Sequence, residues 1–306
     1  MLIFLIHRAG EELRTQLILA IPVAYALHFC VVLAMLPGLF ATEGLDWLNS
    51  PPGVYQVRLW GMILTAAFAI AVVFTAQPGA LRKIWPPVLL VLLSTALCYT
   101  GTRGALPALV AGFVVTALVM TRARGSLAVT LVLGLAIGAV LSLALPVPHP
   151  AYGLISSYSE TVTSQDVNQL SASRVALWTQ TLEIWSKHPV FGIGYGQYRY
   201  FNHGQFEGFS HPHNSVLEFV LVFGLVGGLA FLGILFWLWL RAAQALRAHP
   251  DPVRVAAFFA LNALLAFSLL DGTLYQLDTL QIYAVLWACL LARPTGVGGQ
   301  SQPATL

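Results

Sequence analysis

Charged residues are scarce in this chain, and the scarcity decides its class. Only 9% of the 306 residues are charged, against 58% that are hydrophobic, whereas soluble domains carry about 25% charged residues. So few charges exclude an ordinary soluble globular domain. The mean hydropathy of +0.78 agrees with this exclusion and predicts an integral membrane protein.

Cysteines are also few, and their positions exclude a cysteine framework. Cys30, Cys98 and Cys289 all fall within apolar runs, so neither disulfides nor a thiolate metal site are indicated. We expect them to be small core residues. The opening "MLIFLIHRAGEELR" has too short an apolar run, and no leading basic segment, for a signal peptide. The first long apolar run is therefore expected to act as the anchor.

Long apolar runs are what the chain has instead. As helices they suit the hydrocarbon core, about 30 Å thick, and they predict an all-α, polytopic integral membrane protein with about eight transmembrane helices. Residues 1–306 are expected to form a single membrane domain. The predicted spans are Gln16–Phe40, Leu59–Ala76, Trp85–Gly101, Ala105–Met120, Ser126–Pro146, Ser215–Leu240, Val255–Leu270 and Leu280–Ala292, of which the last is the shortest.

The basic residues are distributed unequally between the two sets of loops. Positively charged loops stay cytoplasmic, and most of the 15 lysines and arginines fall in one set, which also contains both termini. This distribution predicts both termini inside and the segment 147–214 on the outer face, where most acidic residues also lie. The basic residues on the predicted outer side are Arg58, Arg103, Arg174, Lys187 and Arg199.

The outer segment 147–214 is too long for a mere link between two helices, so we expect it to be functional. It begins with the polar stretch "SSYSETVTSQDVNQLSAS". The following run, "RVALWTQTLEIWSK", places Val175, Trp178, Leu182 and Trp185 along one helical stripe. Tryptophans on such a stripe suit the headgroup level. The segment is therefore predicted to contain an amphipathic helix that lies in the membrane interface.

The run "HPHNSVLE" places two histidines and an asparagine directly before the sixth span. Ser215 and Glu218 have the spacing of a capping box, so a helix should begin near Ser215, with His213 and Asn214 just outside it. A helix N-terminus disfavours a protonated imidazole, which would leave His213 a neutral base. The alternatives are an interfacial histidine beside a capping asparagine, or a metal site with His203. No cysteine or compact carboxylate group in the sequence completes such a metal site.

Two arginines on the outer side could bind an anion. Arg103 lies in a short turn, "TGTRGA", where a charge is costly. It either snorkels to the headgroups or points into a cavity, where Gly101 and Gly104 would let a phosphate approach its two parallel donors. Arg174 begins the amphipathic helix after Ser173. Since a basic residue is unfavourable at a helix N-terminus, it is either solvated or compensated by an anion.

The run "HPVFGIGYGQYRYF" is rich in glycine, but it does not indicate a nucleotide site. A dinucleotide fingerprint needs a preceding strand and a following helix, and neither fits an outer loop of a membrane protein. Tyr195 and the neighbouring aromatic residues fit a wall that faces sugar or lipid, or plain loop packing. No nucleic-acid partner is expected.

Three motifs occur in a fixed order: "TRGA" at a helix start, "SRVALWTQTLEIWSKHPVFGIGYGQY" in the outer loop, and "HPHNSVLEFVLVFGLVGG" at the next helix start. Together, over residues 99–230, they resemble the bacterial O-antigen ligase and O-antigen polymerase superfamily. The resemblance implies a GT-C-like fold in the bacterial inner membrane, with its active site facing the periplasm. It also implies a metal-independent, inverting glycosyltransferase without a cofactor.

The resemblance implies a reaction as well. A glycan passes from undecaprenyl pyrophosphate to the hydroxyl of a glycan or lipid acceptor, among membrane lipids. The family's characteristic residues map onto Arg103 and Arg174, which would hold the pyrophosphate and stabilise its charge, and onto His213, which would take the acceptor proton. The candidates for orientation or sugar contact are His211, Asn214, Arg199 and Tyr195.

Other functions stay open at the level of the sequence. The acceptor could be a lipid A core, a growing glycan or a protein. A transporter or flippase of lipid-linked saccharides would need polar groups near the membrane midplane, and His28 and Asn262 are scattered candidates. A non-catalytic scaffold is the third possibility. Family members commonly have more spans than the eight predicted here, so the chain is either a minimal core or lacks upstream helices.

Overall fold

The computed structural model describes residues 2–42, 44–54, 56–120, 124–163 and 173–292. Within these ranges all regular secondary structure is helical, which confirms the all-α prediction. The helices are α1 (Leu2–Phe40), α2 (Val57–Thr75), α3 (Trp85–Tyr99), α4 (Ala105–Val119), α5 (Arg124–Ser142), α6 (Leu154–Thr163), α7 (Arg174–Lys187), α8 (Tyr198–Phe201), α9 (Ser215–Ala248), α10 (Pro252–Phe267) and α11 (Leu277–Leu291).

A helix occurs at each of the eight predicted spans. Four of them, Gly10–Phe40 within α1, α2, α5 and α9, are long and apolar enough to cross a membrane. They identify a polytopic membrane protein. Helices α3, α4, α10 and α11 are apolar but have only 15 or 16 residues, or about 24 Å at 1.5 Å per residue. Of the predicted polar stretch in the outer loop, residues 164–172 lie outside the described ranges.

The core lies around α2 and α10, which are apolar on all sides and therefore buried on all sides. Trp60 and Phe68 on α2, and Phe258 on α10, have no exposed surface. Small residues bring the helix backbones close together. A Cβ atom on Gly112 of α4 would lie 2.6 Å from the backbone nitrogen of Ala263 on α10, so these two helices pack in direct backbone contact.

The outward faces of the bundle are apolar and exposed, as is typical of lipid-facing helices. On α5 and α9, for example, Val132 is 64% exposed and Trp237 is 58% exposed. The cysteines divide between core and surface. Cys98 and Cys289 are buried, but Cys30 is exposed on α1. The prediction of three core cysteines was wrong for Cys30, because an apolar run does not tell which of its faces is turned outward.

Helix α9 is broken at Gly224, and the loop segment 189–194 fills the break. Gly224 has a φ of 65° inside the helix, so the helical hydrogen bonds stop on both sides of it. The segment 189–194, a run of turns, supplies the missing partners, as backbone in a membrane requires. The amides of Leu225 and Val226 donate to the carbonyls of Pro189 and Val190, at 2.8 and 3.3 Å, and the amides of Ile193 and Gly194 donate to the carbonyls of Leu221 and Val222, at 2.9 and 3.0 Å.

This contact explains part of the glycine-rich run. A Cβ atom on Gly192 would lie 2.4 Å from the carbonyl oxygen of Leu221, and one on Gly224 would lie 2.1 Å from that of Val190. Both glycines also have positive φ, 73° and 65°, a region that glycine alone adopts freely. The first glycine of the run, Gly192, therefore serves backbone packing against α9, whereas a Cβ atom on Gly194 would meet only the Gln197 side chain at 3.6 Å and one on Gly196 would meet open space.

An ion network joins helices at the end of the bundle where α2 and α4 terminate. Arg14 is 2% exposed and forms ion pairs with Glu11 at 2.5 Å and with Asp251 at 2.6 Å. Asp251 also pairs with Arg254 at 2.7 Å. Through this shared carboxylate, α1 is tied to the connection between α9 and α10. This end contains most of the described basic residues, in agreement with the predicted sorting of the loops.

Candidate functional site

Four helix N-termini, those of α2, α4, α7 and α9, meet at the opposite end of the bundle around two adjacent cavities. One cavity, of about 220 Å³, is lined by Arg58, Arg103 and Arg174, among others. The second, of about 240 Å³, shares Arg58 and Arg174 and is also lined by His213. The structure therefore brings the three predicted catalytic residues, Arg103, Arg174 and His213, to one pair of cavities.

The turn that carries Arg103 is tight, as the sequence predicted. Gly101 has a φ of 63°, and a Cβ atom there would lie 2.5 Å from the carbonyl oxygen of Ala151. Gly104 has a different role. Its backbone is helical, with a φ of −66°, and the space a Cβ atom would need is occupied by Phe267, 3.1 Å away. Arg103 is thus placed at the start of α4 by a turn packed against the outer loop.

Arg174 is the first residue of α7. Ser173 precedes it as the N-cap with a φ of 62° and makes no side-chain cap hydrogen bond. Burial lowers the pKa of Arg174; the charge of Asp271 opposes this shift, and the charges of Arg58 and Arg103 add to it. Arginine stays charged in proteins. The lowered pKa therefore marks a partly desolvated cation among like charges, which an anion would stabilise.

The amphipathic helix α7 buries one face against α9. Leu177, Thr181 and Ile184 are buried there at helical spacing. The indole nitrogen of Trp178 donates to the carbonyl of Pro212 at 3.0 Å, which ties α7 to the segment that contains the two histidines. The predicted apolar stripe lies on other faces of the helix, where its exposed members are Val175 and Leu182.

Helix α9 begins at Ser215, as predicted, but its cap is Asn214. The side-chain oxygen of Asn214 accepts hydrogen bonds from the amides of Val216 and Leu217, at 3.0 and 3.1 Å. The prediction of a capping box was therefore wrong. The Ser215 hydroxyl, which would have capped the helix, contacts the carbonyl of Asp271 in the connection between α10 and α11 instead.

His213 is held by a carboxylate that the sequence did not identify. Its Nδ1 lies 2.9 Å from Oδ1 of Asp271, whose side chain is 3% exposed. Burial acts to raise the pKa of Asp271, but hydrogen bonds from His213 and the Gly272 amide, with the charge of Arg58, outweigh it, so the pKa lies below its usual value. The ionised carboxylate accepts a hydrogen bond from Nδ1–H, and this leaves Nε2 of His213 as an acceptor.

His211 lies beside His213 and is partly buried. The two rings are 4.3 Å apart, and the ring of Tyr275 is 5.0 Å from that of His211. Burial lowers the pKa of His211 to about 4; the charges of His213 and Arg58 add to the shift, and Asp271 opposes it. His211 is therefore neutral near pH 7, and it supports the neighbouring backbone by accepting the amide of His213 at 3.4 Å.

The same three residues have the spacing of a metal site. His211, His213 and Asp271 each offer a ligand atom, and these atoms lie within 4.8 Å of one another. The expectation that no carboxylate completes a histidine site was wrong, since Asp271 does so and replaces His203. The charge balance nevertheless opposes a cation, because two neighbouring arginines already act on this carboxylate.

The other predicted contact residues lie farther out. Asn214 is engaged as the cap, and its amide nitrogen donates to the carbonyl of Leu269 at 3.0 Å. Tyr195 is 77% exposed, and Arg199 is exposed on α8. Among the residues described, neither of these two lines either cavity. A larger cavity of about 660 Å³ lies at the other end of the bundle, beside Met120 and Arg247.

One family model matches part of the chain. Residues 88–232 match the family model described as O-antigen ligase. The matched segment runs from α3 into α9 and contains Arg103, Arg174 and His213, whereas Arg58 and Asp271 lie outside it. No curated protein matches the chain. Segment 88–232, a little under half of the chain, carries the three motifs in order and is similar to the O-antigen ligase family.

Proposed function

We propose that this protein is a bacterial inner-membrane glycosyltransferase that moves a glycan from undecaprenyl pyrophosphate to an acceptor hydroxyl at the periplasmic face. The family match supports O-antigen ligase or polymerase function in general. The observation that carries the specific proposal is the pair of cavities. Three arginines line the first cavity, and a histidine oriented by a buried carboxylate lines the second.

Arg103 and Arg174 bind the pyrophosphate in this proposal. Each lies at the start of a helix, where free amides and the helix dipole favour an anion. Each guanidinium also offers two parallel donors to phosphate oxygens. As the bond between the anomeric carbon and the pyrophosphate oxygen breaks, the two arginines stabilise the negative charge that develops on the leaving group.

His213 is the general base. Its Nε2 accepts the proton of the acceptor hydroxyl while that oxygen bonds to the anomeric carbon, and undecaprenyl pyrophosphate leaves as an anion from the opposite side. This single displacement inverts the anomeric centre. Asp271 keeps the imidazole in the required tautomer and stabilises the imidazolium that forms. The arginines supply the positive charge, so the reaction requires no metal and no cofactor.

The proposed enzyme is a single membrane domain with one long periplasmic loop. Residues 1–306 form one GT-C-like membrane domain with about eight spans. The segment 147–214 is a periplasmic loop whose helix α7 lies in the membrane interface, and the catalytic core covers residues 99–230. His211, Asn214, Arg199 and Tyr195 contact or orient the sugars.

A transporter is the less favoured function, because the polar residues that suggested it serve the fold. The side-chain oxygen of Asn262 accepts a hydrogen bond from the indole of Trp239 at 2.8 Å, and its nitrogen donates to the carbonyl of Phe258 at 2.7 Å. Nε2 of His28 lies 2.9 Å from the carbonyl of Pro52. Both side chains already have partners within the protein.

A transfer assay tests the proposal. The purified full chain is given an undecaprenyl-pyrophosphate-linked glycan with either lipid A core or a second lipid-linked glycan as acceptor, and products are measured by mass spectrometry. Arg103→Lys and Arg174→Lys should each lower transfer on the order of 10²-fold, because lysine lacks the paired donors. Arg82→Lys, at the other end of the bundle, is the control.

Two results would overturn this reading. Near wild-type transfer by both arginine variants would show that Arg103 and Arg174 do not bind the pyrophosphate. Transfer by the wild-type protein should also continue in EDTA, and complete loss that one divalent ion restores would instead assign a metal to His211, His213 and Asp271.

A further inference from the structure

Arg58 lies in the candidate site, although no motif contains it. It is the second residue of α2, and its side chain lines both cavities. The sequence indicated only that it belongs to the predicted outer side. Of the predicted catalytic residues, Arg103 lines only the first cavity and His213 only the second, so Arg58 and Arg174 are the charged residues common to both.

Positive charge is concentrated around the two cavities. Three guanidinium groups line them, each at or directly before the first turn of a helix, where a cation is unfavourable. Among the described lining residues, the one carboxylate is Asp271, and it already accepts hydrogen bonds from His213 and the Gly272 amide. An occupant with more than one negative charge would stabilise Arg58 and Arg174, which line both cavities.

The positions of the charged groups indicate how such an occupant would lie. A phosphate in the first cavity has Arg103 beside it, and a phosphate toward the second cavity approaches His213, where the glycan bond must be cleaved. Arg58 and Arg174 reach both positions because they line both cavities. A monophosphate would leave one of the two positions empty.

We propose that Arg58 is a third phosphate ligand and that it makes the site select a diphosphate lipid over a monophosphate lipid. This inference rests on the proposed function, since it assigns Arg58 to the same donor site. It concerns binding of the donor, so it can be measured without an acceptor and without turnover.

The test measures binding of undecaprenyl diphosphate and undecaprenyl monophosphate to the purified full chain by native mass spectrometry. Wild-type protein should prefer the diphosphate. Arg58→Gln should weaken diphosphate binding on the order of tenfold, the effect of one lost charge-assisted hydrogen bond, and weaken monophosphate binding less. Arg58→Lys should recover part of the preference for the diphosphate, because lysine keeps the positive charge but lacks the two parallel donors of the guanidinium group.

Lys187→Ala is the matched control, since Lys187 is exposed at the far end of α7 on the same predicted side. A wild-type preference in Arg58→Gln, with an unchanged thermal midpoint, would overturn the inference. If Arg58→Gln aggregates, Arg58→Lys is the only test, and a wild-type preference for the diphosphate in Arg58→Lys overturns the inference. If diphosphate binding also survives Arg103→Lys and Arg174→Lys, the proposed function fails; if only the Arg58 variants bind normally, this inference fails.

Discussion

At the scale of single residues, the site depends on which nitrogen of His213 is free. Asp271 accepts a hydrogen bond from Nδ1–H, and the backbone of His213 has a φ of 53°. A non-glycine residue in this region costs on the order of 1–3 kcal/mol and persists only where its surroundings hold it. Asp271 on one side and the Asn214 cap on the other supply that support, so Asp271 should matter for orientation as well as for charge.

Substitution of the histidines and of Asp271 should separate their roles. His213→Ala should abolish transfer through loss of the base and should still bind the donor. Asp271→Asn should lower transfer by 10²-fold or more, since a wrong tautomer alone costs about 10⁴-fold in a related arrangement. His211→Ala should be milder, because His211 has at most an orienting role. The measurements are transfer rate and donor binding on folded protein.

The control is the pH dependence of transfer. Because burial lowers the pKa of His211 to about 4, this residue stays neutral above pH 5, and His211→Ala should leave the shape of the pH profile there unchanged. Two outcomes contradict the assignment. If His213→Ala transfers glycan at a near wild-type rate and His211→Ala is inactive, His211 is the base. If both variants are fully active, neither histidine is the base.

The sequence could predict Arg103, Arg174 and His213 because each lies at a helix start within a local motif. It could not predict Asp271 or Arg58 in the same way. Asp271 is 58 residues from His213 along the chain, and Arg58 lies on a different helix again. Tertiary packing brings them to the site, and no spacing encodes that. An acidic residue directly after an apolar run, as in "LLDG", is the signal that could have identified Asp271.

At the scale of elements, the segment 189–194 and helix α9 form one unit. The sequence predicted a continuous span from Ser215, and it missed the break because glycine is common in intact membrane helices. The break leaves backbone groups that would cost several kcal/mol each if unpaired in lipid. The loop segment pairs them, and it thereby fixes the chain between α7 and the histidine segment.

Glycine substitutions at this contact should therefore destabilise the protein. Gly224→Ala and Gly192→Ala place a Cβ atom within 2.4 Å of backbone oxygen, and alanine at positive φ adds about 1–2 kcal/mol. Gly233→Ala on the same helix is the control, because its Cβ would meet nothing within 4 Å. Thermal unfolding in detergent should show lower midpoints for the first two variants only. Equal midpoints for Gly224→Ala and Gly233→Ala would show that the break does not need glycine.

At the scale of the whole molecule, the two ends of the bundle differ in chemistry. One end has the arginine-lined cavities and the histidines. The other has the network of Arg14, Asp251 and Arg254 and most of the remaining basic residues. Because basic loops stay cytoplasmic, this division predicts that the site faces the periplasm, where lipid-linked glycans would reach it.

Cysteine labelling tests this orientation. In a Cys30→Ala background, which removes the exposed native thiol, Lys187→Cys marks the site end and Arg82→Cys marks the basic end. Both positions are exposed. A membrane-impermeant maleimide should label Lys187→Cys in intact cells and Arg82→Cys only after permeabilisation. The reverse pattern would place the arginines and His213 in the cytoplasm, and the proposed periplasmic transfer would then be impossible even if every residue assignment were right.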